Sequence, residues 1–144
     1  MNEFQERLQD LMNENNLSRL GLSNKIGIAT SAIDDYFNKG YYPSMIIAKK
    51  MAEFFDCSLD YLFGRCDEKL NTNKNTKPFF DNLQNLLREN NLSVARAMSE
   101  MKLKECSYYK WRKGVFPKTL ILLEIVKYFE VSLDYLVGYS NKDE

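Results

Sequence analysis

Histidine is absent from the 144 residues. With it go the usual general base, the Ser–His and Cys–His nucleophile systems and the commonest metal ligand. The three cysteines, Cys57, Cys66 and Cys106, are odd in number and form no Cys-x-x-Cys, which argues against a disulfide framework or a zinc site. They are expected as small buried or half-buried residues. Glycine and proline are scarce, at six and three, and the runs rich in Leu, Lys, Glu and Asn favour helix over sheet. No apolar stretch approaches the length needed to cross a bilayer. Glu3 and Glu6 stand where a secretory signal would carry a basic region. These absences predict a non-enzymatic, cytoplasmic, all-α protein with no cofactor, no metal and no membrane partner. The 44% hydrophobic and 28% charged residues are the balance of a chain that builds a core.

What is present is a duplication. Asn15-Asn16-Leu17-Ser18 recurs as Asn90-Asn91-Leu92-Ser93, 75 positions on. Ser58-Leu59-Asp60-Tyr61-Leu62-Phe63-Gly64 recurs as Ser132-Leu133-Asp134-Tyr135-Leu136-Val137-Gly138, 74 positions on. One residue is therefore missing from the second copy between these motifs. Placing the gap in the loop before Pro43 and Pro117 sets Ile33, Tyr36 and Asn38 opposite Tyr108, Trp111 and Lys113.

Each copy reads as five short helices. Phe4, Leu8 and Leu11 form an apolar stripe at helical spacing that stops at Asn15-Asn16. Ser18 is a good N-cap for a second helix through Ile26, and Gly27 supplies a left-handed end. A third helix runs from about Thr30 to Asn38 with Ile33, Tyr36 and Phe37 inward. Pro43-Ser44 opens a fourth, lined by Ala48, Met51, Ala52 and Phe55. Ser58 caps a last short helix, with Asp60 at the positive end of its dipole and Gly64 at its close. The expected organisation is a domain over 1–68, a polar linker over 69–77, a second domain over 78–138 and a tail over 139–144.

A capped second helix, a glycine turn, a third helix ending near Asn38, then Pro-Ser and a closing Ser-Leu-Asp-Tyr-Leu-x-Gly resemble the Cro-like (XRE) phage-repressor helix-turn-helix family. The resemblance covers nearly the whole chain. It implies two tandem five-helix, lambda-repressor-like domains, each with its third helix in the DNA major groove and its second across the backbone. It also implies transcriptional regulation, with double-stranded DNA as partner. Carried over by position, the base-reading residues are Thr30, Ser31 and Asp35 in the first copy and Glu105, Cys106 and Lys110 in the second. Phosphate contacts fall to Arg19, Asn38 and Lys39, and in the second copy to Lys113, with Lys104, Arg112 and Lys118 nearby.

The copies depart from the pattern in opposite ways. The first keeps Gly27 at the turn and small Ser23 where the helices pack, but Asp34 and Asp35 outweigh Lys39 on its third helix. The second has Met98 and Lys102 at those scaffold positions, so a reshaped turn is expected. Yet between 102 and 118 it carries six basic residues against Glu105 alone, a net +5. DNA affinity depends mainly on phosphate neutralisation, so the second copy is the better DNA binder. Tyr108 and Trp111 are expected in the core. Against DNA binding stands the overall balance of 20 basic and 20 acidic residues.

Ile46 points away from the apolar stripe of its fourth helix, and its counterpart Leu120 does the same beside Ile121 and Leu123, at matching places in both copies. They suggest a surface covered by the other domain, by a second chain in a homodimer, or by another protein. The rival reading is thus a protein-interaction module that has kept the fold: an antirepressor, an antitoxin-like partner or an inhibitor of a DNA-binding protein.

Overall fold

Among the described residues serine starts five of ten helices: the hydroxyls of Ser18, Ser44, Ser58, Ser93 and Ser132 each accept the backbone N–H three residues on. Each satisfies one of the amide donors that a helix start leaves without a partner. The computed structural model describes residues 1–140, and over that range the protein is helical with no strand. The chain divides into two units, 1–72 and 73–140. The first contains α1 (Glu3–Glu14), α2 (Arg19–Ile26), α3 (Thr30–Lys39), α4 (Met45–Phe55) and α5 (Leu59–Leu62). The second contains α6 (Phe79–Glu89), α7 (Val94–Glu100), α8 (Glu105–Arg112), α9 (Thr119–Phe129) and α10 (Leu133–Val137).

The repeated Asn-Asn pair ends the first helix of each unit in the same way. The side chains of Asn15 and Asn90 donate back to the carbonyls of Leu11 and Leu86, at 2.7 and 2.8 Å. Asn16 and Asn91 then take left-handed φ of 54° and 51°, a conformation that asparagine tolerates better than most residues.

In the first unit, α2 packs on α3 and α4, and α5 on α1 and α4. Phe4, Leu8, Leu22, Ile33, Met51 and Leu59 are fully buried between them. The first helix is also a polar clasp. Arg7 donates to the carbonyls of Tyr61 (2.8 Å) and Cys66 (3.3 Å) and lies 3.8 Å over the Tyr61 ring. Gln5 donates to the carbonyls of Tyr36 and Phe37, at 2.7 and 3.1 Å. It thereby ties α1 to the last turns of α3.

In the second unit, α7 packs on α8, and α10 on α6 and α9. Asn82 stands at the Arg7 position and donates to the carbonyls of Tyr135 (3.0 Å) and Leu136 (2.9 Å). Phe80 replaces Gln5 and sets its ring 5.0 Å from that of Tyr108. Part of the segment expected as a linker belongs to this unit. Asn73 donates to the carbonyls of Asp134 and Tyr139, and Asn75 to the carbonyl of Tyr135 and the side chain of Asn82. At its other end, the Lys69 carbonyl accepts from Ser58 and its ammonium meets Glu14 at 3.0 Å, both within the first unit. Of the tail expected over 139–144, Tyr139 is buried, and residues 141–144 lie outside the described residues.

Two features differ from expectation. The turn between α7 and α8 is not reshaped: Lys102 adopts the left-handed conformation of Gly27, with φ of 61° against 73°. Met98 fits the Ser23 position because it is buried, and its carbonyl accepts from Leu103 as that of Ser23 accepts from Ile28. The missing residue, in turn, costs helix as well as loop. The third helix has ten residues in the first unit, whereas α8 has eight and ends at Arg112, with Lys113 as its C-cap.

Because Asn73 and Asn75 bond to α10, a fragment beginning at 73 should be more stable to urea than one beginning at 78, by about 1–3 kcal/mol at the usual net worth of such bonds. Equal midpoints and slopes would show that these asparagines do not hold α10. The two turns give a second expectation. Lys102→Gly should stabilise the second unit by roughly 0.5–1 kcal/mol through relief of left-handed strain. A Cβ on Gly138 would stand 2.2 Å from the Lys77 carbonyl oxygen. Gly138→Ala should therefore cost about 2–4 kcal/mol, strain and overlap together. Thermal melts of the two variants moving in the same direction would contradict this account.

Candidate nucleic-acid interface

The third helix of each unit is anchored from inside by aromatic edges. On α3, Ile33 and Tyr36 are buried, and Tyr36 meets Phe4 edge-on at 5.8 Å. On α8, Tyr108 and Trp111 are buried, as their spacing predicts, and Trp111 meets Phe79 edge-on, also at 5.8 Å. Fixing these rings fixes the opposite face of each helix toward solvent. Both helices begin without a side-chain cap, at Ala29 and at Lys104.

On α3 the outward residues are Thr30, Ser31, Asp34, Asp35, Asn38 and Lys39, half-buried or exposed. Their charges are spent on one another. Arg19, at the start of α2, donates to Asp34 at 2.8 Å and lies 4.7 Å over the Phe37 ring. Lys39 meets Asp35 at 3.6 Å. Asp34 thus couples α2 to α3 instead of standing in solvent, and Arg19 is held on the protein. Each pair is about half-exposed, so each contributes at most about 1 kcal/mol to stability.

On α8 and its flanks the outward residues are Lys104, Glu105, Cys106, Tyr109, Lys110, Arg112, Lys113 and, at the start of α9, Lys118, all exposed. Cys106 is therefore exposed instead of half-buried; Cys57 is buried and Cys66 intermediate. Among the described residues, Lys102, Lys104, Lys110, Arg112, Lys113 and Lys118 make no ion pair. Glu105 meets the hydroxyl of Tyr109 at 3.4 Å, and the guanidinium of Arg112 lies 4.9 Å over the Tyr109 ring. The cation of α7, by contrast, is committed. Arg96 donates to Glu100 at 2.9 Å, and the Tyr128 hydroxyl donates to the same carboxylate. Those two bonds, Tyr128's first, hold the Glu100 carboxyl below the usual carboxylate range.

The expected site residues are thus gathered as two separate outward faces, one on each third helix. Tyr109 was not singled out from the sequence, although its three-residue spacing to Arg112 places both on one side of a helix. The apolar residues of the fourth helices lie elsewhere. Ile46 is 72% and Leu120 56% exposed, whereas Ile121 and Leu123 are half-buried. No helix among the described residues is long and apolar enough to cross a membrane. No group of three Cys, Asp or Glu among them could hold a metal ion.

Comparison with known families places this geometry. Residues 8–62 match the helix-turn-helix family model. The match spans the first unit from the middle of α1 to the end of α5, so this stretch is similar to that family. No curated protein and no solved structure matches the chain.

Proposed function

We propose that the protein is a non-enzymatic, cytoplasmic transcriptional regulator that binds double-stranded DNA through the third helices of two tandem helix-turn-helix domains. In this reading the second domain contributes more of the affinity. The observation that carries it is the contrast in charge commitment: Arg19 and Lys39, the cations expected to reach the backbone in the first domain, are ion-paired, whereas those of α8 and its flanks are exposed and unpaired among the described residues. A free ammonium releases condensed counterions when it meets a phosphate; one already neutralised by a carboxylate releases few.

Lys110 is placed to meet a guanine edge, with Glu105 and Cys106 beside it on the first turn of α8; Lys104, Arg112, Lys113 and Lys118 meet phosphates. In the first domain, Thr30, Ser31 and Asp35 would read bases, and Arg19, Asn38 and Lys39 would reach the backbone. To do so Arg19 and Lys39 must leave Asp34 and Asp35, which lowers what they add.

A second reading is favoured by one observation, the exposure of Ile46 and Leu120 at matching positions of α4 and α9. Exposed aliphatic residues repeated in both copies fit a protein partner or a second chain, as in an antirepressor, an antitoxin-like protein or an inhibitor of another DNA-binding protein.

Lys110→Glu should weaken duplex binding by at least ~1–3 kcal/mol, since it removes a base contact and adds a charge that phosphate repels. Lys113→Ala should weaken all sequences alike and flatten the salt slope by about one unit. Asp35→Ala should leave binding unchanged or tighten it, because it frees Lys39. Mobility shifts at two salt concentrations check all three; a critical Asp35 with a silent Lys110 would make the first domain the reader. For the fourth helices, Leu120→Lys should lower the apparent mass in sedimentation with helicity intact if that surface joins two chains. A wild-type chain that sediments as a monomer removes the homodimer.

A further inference from the structure

We propose that Tyr109 is a positioning residue that holds the Arg112 guanidinium ready for a DNA phosphate. The inference rests on the reading of α8 as the DNA-facing helix and deepens it by naming how one of its cations is ordered.

The argument comes from comparing equivalent positions. In the first unit three side chains meet: Arg19 of α2 donates to Asp34 of α3 at 2.8 Å and lies over Phe37 at 4.7 Å. At the 75-residue offset their counterparts are Val94, Tyr109 and Arg112. All three corners have been exchanged. The arginine corner is aliphatic, the acid corner is aromatic and the aromatic corner is arginine. A cation still lies on a ring, now at 4.9 Å. But the cation has moved from the second helix onto the third, and no carboxylate neutralises it. The one acid on that face, Glu105, accepts from the Tyr109 hydroxyl instead.

The exchange changes what the arginine can do. An arginine side chain is long and loses much rotamer freedom when it is fixed in place. An ion pair such as Arg19–Asp34 fixes it, but occupies the in-plane N–H donors that a phosphate would take. A ring beneath the guanidinium fixes it through the face of the cation and leaves those donors free at its edge. Ordering the cation before binding removes part of the entropic cost of the contact. Tyr109 is just over one-third exposed, so its ring is supported by the unit while one side remains open to Arg112.

Quantitative mobility shifts of the full chain with a random-sequence duplex, at two salt concentrations, test the inference. Arg112→Ala should weaken binding and flatten the salt slope by about 0.9. Tyr109→Leu should weaken it about two- to five-fold, the range of an exposed cation–ring contact. Tyr109→Phe keeps the ring and should bind like the wild type. In an Arg112→Ala background, Tyr109→Leu should cost nothing further. Equal losses with and without Arg112 would overturn the inference, because the ring would then touch DNA itself or merely support the unit. A Phe variant as weak as the Leu variant would overturn it as well, by assigning the effect to the hydroxyl. Silence of Lys110→Glu, Lys113→Ala and Arg112→Ala together is a different failure: the reading of α8 falls, and the inference with it.

Discussion

Each unit is closed by a side chain from its first helix that reaches the carbonyl end of its last. The last helices have only four and five residues, far too few to persist alone. Their carbonyls accept from the closing turns, as Tyr61 does from Gly64 and Tyr135 from Gly138, and each has a second lone pair for a donor from elsewhere. Arg7 supplies donors in the first unit and Asn82 in the second. With α1 or α6 tied down, Phe4 and Phe79 stand where Tyr36 and Trp111 can pack edge-on against them. The first helix thus holds the last through polar bonds and the third through ring packing. That the donor can be a guanidinium in one copy and an amide in the other shows what is required: an N–H at that place, not a charge.

The helices were legible because their signals are local. A serine three residues before an N–H, an apolar stripe at helical spacing and an Asn-Asn stop all act within one or two turns, so the bounds of α2 and α5 follow from the chain itself. Interactions between helices were not legible. Arg19 and Asp34 are fifteen residues apart and meet only because α2 packs on α3. Without that packing Arg19 reads as a free cation and Asp34 as a solvated acid. Likewise, Lys69 to Lys77 is polar and aperiodic, the pattern of a linker, yet Asn73 and Asn75 find carbonyls on α10 that only tertiary structure brings to them. The turn at Lys102 failed in the other direction. Left-handed strain of about 1 kcal/mol is small beside the burial of Met98, Met101 and Ala97 around it, so packing overrides the local preference.

A net charge of zero speaks less strongly against DNA binding than it does when read as a sum. What a phosphate meets is the charge left uncommitted on one face, within roughly a Debye length of about 8–10 Å. The two copies have the same backbone plan and divide this quantity unequally. Between 27 and 44 the first copy carries one basic and two acidic residues, and its α3 cation is paired. Between 102 and 118 the second carries six basic and one acidic, and none of the six is paired among the described residues.

Duplication makes this divergence physically inexpensive. The inward face of each third helix is constrained by packing, and there the copies exchange one buried apolar or aromatic residue for another, Ile33 for Tyr108 and Tyr36 for Trp111. The other face is constrained less: Asp34, Asp35 and Phe37, the last expected inward, are half-buried, and Asp34 and Phe37 meet a second helix through Arg19, so they can become Tyr109, Lys110 and Arg112 once Arg19 is replaced. Each of these changes alone would lose something: an arginine in place of Phe37 would face Arg19, and a tyrosine in place of Asp34 would leave Arg19 without its carboxylate. With Val94 in place of Arg19 both conflicts vanish. The three positions are therefore coupled through one cation and its ring. The place of Arg112 on the outward face of α8 is thus a property of the trio, in which the aliphatic residue on α7 matters beside the ring and the cation on α8.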